Sequence, residues 1–198
     1  VRVRRSPLGA LVGGLVTFTY RGVDLDYFDH PYNNTRRNER AVELAVAFHW
    51  LHGRRGKGLE VGNVLSHYGP IGHRVVDLNE KADGVENLDV FAIDGGYDWI
   101  VSVSTVEHVG RDAEDRDDAL AVAAVYHLES LLKPDGAMLI TVPGGYNATL
   151  DSALPSIGAA HQATYARDGD GWYRTERLTF LPYGSTTEWA ESVWIGEW

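Results

Sequence analysis

The chain has 198 residues, 44% of them apolar and 23% charged, enough for one well-buried core and too few for two, so its function has to come from one site on one domain. A formal net charge of −10 argues against a nucleic-acid partner, because affinity for a phosphate backbone rests on clustered Lys and Arg. With no cysteine there are no disulfides, no thiolate nucleophile and no Cys-ligated zinc, and a cytoplasmic location is expected.

In chain order, Arg2, Arg4 and Arg5 precede an apolar run from Leu8 to Val16 that mimics the start of a signal peptide. The run is short, holds two adjacent glycines and lacks a small-residue cleavage pattern, so no targeting role is expected. It is also far below the ~18 apolar residues of a membrane span, and no membrane partner is expected. Leu15 to Tyr27 reads as a strand pair turning at Arg21-Gly22. Thr35 is placed to cap a helix running to about His52, with Ala41, Leu44, Ala45, Phe48 and Leu51 at helical spacing and Gly53 as the stop.

Four compact apolar strands follow: Lys57 to Val61, Arg74 to Leu78, Asp98 to Val103 and Ala137 to Val142. Between the last two, a helix is predicted from about Glu114 to Leu132, ended by Lys133-Pro134-Asp135-Gly136. Strand, helix, strand at this spacing is a βαβ crossover, which makes the sheet parallel and puts the ligand cleft at the carboxyl ends of its strands. Gln162 to Arg167 and Trp172 to Phe180 read as strands about the turn-prone Asp168-Gly169-Asp170-Gly171, and Ser192 to Trp198 as an edge strand. The predicted fold is an α/β, Rossmann-like three-layer sandwich. It has a mostly parallel central sheet, an antiparallel C-terminal edge and an N-terminal hairpin and helix. Residues 1–198 form one domain, with 1–56 as the cap and 57–198 as the core.

The segment Gly58-Leu59-Glu60-Val61-Gly62-Asn63 delivers an acid and then a glycine at the end of a strand. The glycine allows close backbone approach to a ligand, and the carboxylate can accept from an ammonium or a ribose. Val64 and Leu65 stand where a dinucleotide loop needs further glycines, and a carboxylate there would repel a pyrophosphate. The ligand is expected to be a zwitterion rather than a diphosphate, which counts against a nicotinamide oxidoreductase.

Leu59-Glu60-Val61-Gly62 resembles motif I of class I S-adenosylmethionine (SAM)-dependent methyltransferases. The similarity continues in order through Val75-Val76-Asp77-Leu78, Asn87-Leu88-Asp89, Tyr97-Asp98-Trp99-Ile100-Val101-Ser102 and the segment from Leu131 to Ile140, so that it covers roughly Gly58 to Val142. The resemblance implies SAM as the cofactor, held by Glu60, Gly62, Asn63, Asp77, Leu78, Leu88, Asp89, Ser104 and Thr105. It puts Ser104-Thr105-Val106-Glu107-His108-Val109 at the methyl-transfer site.

Two readings of Glu107 and His108 stand there: His108 as general base with Glu107 orienting its ring, or both shaping the pocket without proton transfer. The chain departs from the family between the first two strands, where Asn63 to His73 leaves less than a crossover helix needs. Asp29 to Arg40 resembles the N-terminal segment of some sugar-associated methyltransferases, which makes Tyr32, Arg36 and Arg37 candidate lid or substrate residues. The implied function is methyl transfer to a small hydroxylated metabolite, such as a sugar or glycoside. The alternative is a catalytically inactive SAM-fold binding or partner subunit. No metal site and no nucleophile motif stand out, and a homo-oligomer is left open.

Overall fold

The computed structural model describes residues 17–112, 114–169, 171–176, 181–185 and 188–198. Alternation of Phe18 and Tyr20 with two threonines gives β1 (Thr17–Tyr20) one buried face. Arg21 and Gly22, both at positive φ, turn the chain into the antiparallel β2 (Val23–Asp26). The predicted hairpin is therefore present; Leu15, Val16 and the apolar run before them lie outside the described residues.

The next helix, α1 (Arg40–Leu51), starts later than Thr35 predicts. Thr35 is buried, its hydroxyl accepting from the His30 amide at 2.8 Å and donating to the Phe28 carbonyl at 3.1 Å. It closes a 3-10 turn over Tyr32–Arg37 in which Asn33 and Asn34 are left-handed. Asn38 then takes the capping part, its Oδ1 accepting from the Arg40 amide at 3.0 Å.

The remaining elements are β3 (Gly58–Val61), β4 (Arg74–Val76), β5 (Val85–Glu86), β6 (Tyr97–Val103), α2 (Leu120–Ser130), β7 (Leu132–Pro143), α3 (Ala148–Ala153), β8 (His161–Asp168), β9 (Gly171–Thr175) and β10 (Ser192–Glu197). Two boundaries correct the sequence reading. α2 begins at Leu120 rather than Glu114, because the acidic run bonds locally: Asp117 accepts from the Ala119 amide at 3.0 Å and Asp118 pairs with Arg111 and Arg116. β7 begins at Leu132, so Lys133 to Gly136 is not a helix-ending loop. Leu132 pairs with Tyr97, the register shifts with Asp135 at φ 65°, and Ala137 then pairs with Trp99. Of the predicted strand Trp172 to Phe180, β9 covers the part up to Thr175, and residues 177–180 lie outside the described residues.

The main sheet has the order β5-β4-β3-β6-β7-β10-β8-β9, its first five strands parallel and the rest antiparallel. β10 is an interior strand and not the predicted edge; all six of its residues are buried and need a neighbour on each side. One apolar core lies between the sheet and α2 with α3, holding Leu59, Ile100, Met138, Ile140, Leu128 and Trp194. The other lies between the sheet and α1 with the hairpin, holding Trp99, Val101, Leu139, Leu44, Phe18 and Ile195. Consecutive residues of β6 and β7 thus serve opposite cores, which makes the fold the predicted three-layer sandwich. From β3 the chain steps outward to β4 and β5, then returns to the other side of β3 for β6 and β7. The strand order reverses between β3 and β6, and ligand crevices form at the carboxyl ends of such a pair.

Candidate active site

A cavity of 690 Å³ opens at that crevice. Its wall contains Gly62 and Asn63 after β3, Asp77 and Leu78 after β4, Leu88 and Asp89 after β5, and Ser104, Thr105 and His108 after β6. Tyr32 also lines it, stacked on His67 with ring centroids 4.8 Å apart. Arg36 and Arg37 do not line it. The Arg36 guanidinium pairs with Asp29 at 3.3 Å on the surface, and Arg37 is exposed. The residues that do so from this segment and α1 are Tyr32, Asn33 and Arg40, the last concealed in the sequence as an ordinary first-turn helix residue.

Glu60 is the main correction to the expected cofactor set. Its side chain is fully buried and turned away from the cavity. Oε1 accepts from the Val64 and Leu65 amides at 2.9 and 2.7 Å, and Oε2 lies 2.8 Å from His73 Nε2. Glu60 thereby pins the short Asn63–His73 connection, where a single 3-10 turn (Leu65–His67) stands in place of a crossover helix. Gly62, at φ 86°, is required by its neighbour as well as by its conformation, since an added Cβ would lie 2.0 Å from Thr105 Oγ1.

Asp77 sits on the cavity wall with Oδ1 accepting from the Asn79 and Glu80 amides at 2.8 and 2.7 Å and Oδ2 from Asn63 N at 3.0 Å. Burial would raise its carboxyl, but the amides of Glu80, Asn63 and Asn79 together hold it below the usual range, so it stays ionised beside the cavity. Asp89 accepts from Phe91 N at 2.8 Å and caps the short turn that brings Phe91 to the rim. Leu78, Phe91 and Leu120 are large apolar side chains that remain exposed, and all three line the cavity.

The loop after β6 is strained at Ser104, a non-glycine residue at φ 42°. Its hydroxyl donates to both oxygens of buried Glu43, at 2.6 and 2.8 Å, and Glu43 also accepts from Thr141 Oγ1 at 2.8 Å and from Arg40 at 3.3 Å. In the following 3-10 turn (Val106–His108), His108 is half-exposed, and the carboxylate that orients it is Asp112, 2.6 Å from Nδ1. The predicted orienting role of Glu107 is corrected: it lies 3.7 Å from His108 Nε2, too far for a hydrogen bond. Tyr146 donates to Asp112 at 2.9 Å, and burial and that carboxylate push its hydroxyl up to about 12.

Glu107 is fully buried, and among the described residues its two carboxylate oxygens have no hydrogen-bond partner. Burial pushes its carboxyl well above the ordinary range, as is expected when a charge is removed from water. It borders a second cavity of 100 Å³ with Glu39, Arg40, Ser104, His108, Pro143, Tyr146 and Tyr183. Arg40, Ser104 and His108 line both cavities. Among the described residues no group of three or more His, Asp or Glu is placed to hold a metal, and no helix is long and apolar enough to cross a membrane.

No protein-family model matches the sequence, and a search of curated proteins finds no match. Solved structures do match. The N-methyltransferase NodS from Bradyrhizobium japonicum WM9, in complex with S-adenosyl-l-homocysteine, superposes with a TM-score of 0.52 at 11% identity, over 85% of this chain and 87% of that one. A SAM-dependent methyltransferase from Archaeoglobus fulgidus gives a TM-score of 0.48 at 16% identity, over 78% of this chain and 91% of that one. The chain has the Rossmann-like α/β methyltransferase fold.

Proposed function

We propose that the protein is a SAM-dependent methyltransferase acting on a small acceptor bound beside His108. The observation that carries this reading is the 690 Å³ cavity at the β3/β6 switch point, where an ionised carboxylate and exposed apolar side chains line one wall. The residues fit an adenosyl group. Asp77 offers Oδ2 to ribose hydroxyls, Leu78, Leu88 and Phe91 offer apolar surface to a base, and Gly62-Asn63 offers backbone to the amino-acid end. When bound, SAM supplies a methyl group on a positively charged sulfur.

The hydroxylated, sugar-like acceptor expected from the sequence needs a group to take the hydroxyl proton, and the His108–Asp112 pair supplies one. Of the lid candidates in the 29–40 segment, Arg36 and Arg37 stand off the cavity and Tyr32 lines it, joined by Asn33 and Arg40 of the same segment. Calorimetry with S-adenosylhomocysteine and with NAD tests the cofactor. Binding of the first with thermal stabilisation, and no effect of the second, is the expected outcome. NAD binding without S-adenosylhomocysteine binding would overturn it. Binding without turnover on any acceptor would favour the inactive-subunit alternative.

A further inference from the structure

We propose that the small cavity beside His108 is an acceptor subsite for a cationic nitrogen, with Glu107 as its counter-ion. This names the substrate class of the site and rests on the methyltransferase reading above.

The first ground is Glu107 itself. A carboxylate can only accept hydrogen bonds, and burying one with both oxygens unmet is costly unless a donor arrives. The second is the charge around it. Glu39 is buried, accepting from the Ala190 amide at 3.3 Å and from Tyr183 Oη at 3.5 Å, and Glu43 lies behind Ser104. Against these three carboxyls stands Arg40, whose guanidinium is already engaged by Glu43 at 3.3 Å and by the Val103 carbonyl at 3.4 Å. His108 is engaged by Asp112 through Nδ1, and its Nε2, 3.7 Å from Glu107 Oε1, stays beyond hydrogen-bond distance of that carboxylate. A phosphate or carboxylate on the acceptor would face Glu39 and Glu107 with no unengaged cation among the described residues of the cavity wall to meet it.

The third ground is aromatic. Tyr183 lines the same cavity and meets Tyr146 edge to face with centroids 5.6 Å apart. Tyr146 is already covered by Arg111 at 5.1 Å and by the His108 ring, so Tyr183 is the ring left to suit an ammonium group beside the carboxylates. A volume of 100 Å³ admits a head group of a few heavy atoms, entering past Arg40, Ser104 and His108 from the larger cavity. A neutral hydroxyl would satisfy one Glu107 oxygen and leave its charge unmatched. An ammonium satisfies both and neutralises it. The ammonium can then pass one proton to Glu107: an N–H bond breaks, its electron pair stays on nitrogen as the lone pair, and an O–H bond forms on the carboxylate. Burial of Glu107 favours that protonated form.

The test compares ethanolamine with ethylene glycol, equal in heavy atoms and differing in one amine for one hydroxyl. Calorimetric titrations at constant ionic strength use the full chain with and without S-adenosylhomocysteine, as wild type, Glu107→Gln and Glu39→Gln. Ethanolamine is expected to bind wild type at least about tenfold more tightly than ethylene glycol, and Glu107→Gln to lose most of that preference while keeping its S-adenosylhomocysteine affinity. Equal binding of the two probes, or an unchanged preference in a folded Glu107→Gln, overturns the subsite. If Glu107→Gln does not fold, the wild-type comparison and Glu39→Gln, expected to bind ethanolamine more weakly, decide. Ethanolamine preference without S-adenosylhomocysteine binding would remove the methyltransferase reading and leave the cation subsite. The converse would remove the subsite and leave the reading.

Discussion

Gly62 shows how a single missing Cβ holds two strands' loops together. At φ 86°, with Thr105 Oγ1 2.0 Å from where the Cβ would sit, Gly62→Ala meets both backbone strain and a clash. It is expected to cost about 2–4 kcal/mol in chemical denaturation, and Gly62→Ala with Thr105→Gly should recover the steric part but not the strain. At His108 the expectation follows from the cationic subsite. With the acceptor's proton passing to Glu107, His108→Ala should lower turnover about tenfold or less, with S-adenosylhomocysteine affinity unchanged. A loss of about 10²-fold or more would return the base role to His108.

Among the elements, the connection from β3 to β4 departs furthest from a regular βαβ unit. Eleven residues from Asn63 to His73 hold one 3-10 turn, and the buried Glu60 carboxylate stands in for the packing a helix would have supplied. Glu60→Ala is therefore expected to destabilise the fold by about 2–4 kcal/mol, because two amides and His73 lose their acceptor in a buried place. If Glu60 were a cofactor ligand, the same change would lower S-adenosylhomocysteine affinity and leave the denaturation midpoint unmoved. The short spacing was legible in the sequence, as were the apolar strands, which run continuously because both faces are buried. The sense of Glu60 was not, since a strand-terminal acid reads the same whether it points into the cleft or back at the chain. Helix starts were misjudged where Thr35 and the acidic run before Leu120 bond to nearby backbone or side chains, which no periodicity reports. Of the residues expected at strand ends, Gly62, Asn63, Asp77 and Leu78 line the cavity and Glu60 does not. Arg40, Phe91 and the second cavity were not legible, because they depend on which elements fold back over the sheet.

For the molecule as a whole, the buried carboxyls set how stability varies with pH. Burial, with repulsion from Glu43 added, raises Glu39 to about 7, and burial raises Asp151 to about 6 and Glu107 upward. Between their ordinary values near 4 and these raised ones, the folded chain keeps protons that the unfolded chain has released, so stability falls as pH rises through that window. Asp77, Asp112 and Asp98 are held low, and the stability they contribute is lost only under more acid conditions. Urea midpoints are expected to be highest near about pH 4, and Glu39→Gln should gain about 1–3 kcal/mol on wild type between about pH 5 and about pH 8. An equal response of both proteins would show that Glu39 titrates normally. The interior place of β10 has a consequence for synthesis. While the ribosome is still adding residues up to Glu191, the outer edge of β7 carries a row of unpaired amides, and the β8–β9 hairpin has no strand to link it to the rest of the sheet. The nascent sheet closes only when Trp194 emerges, and until then the open edge of β7 is available for self-association.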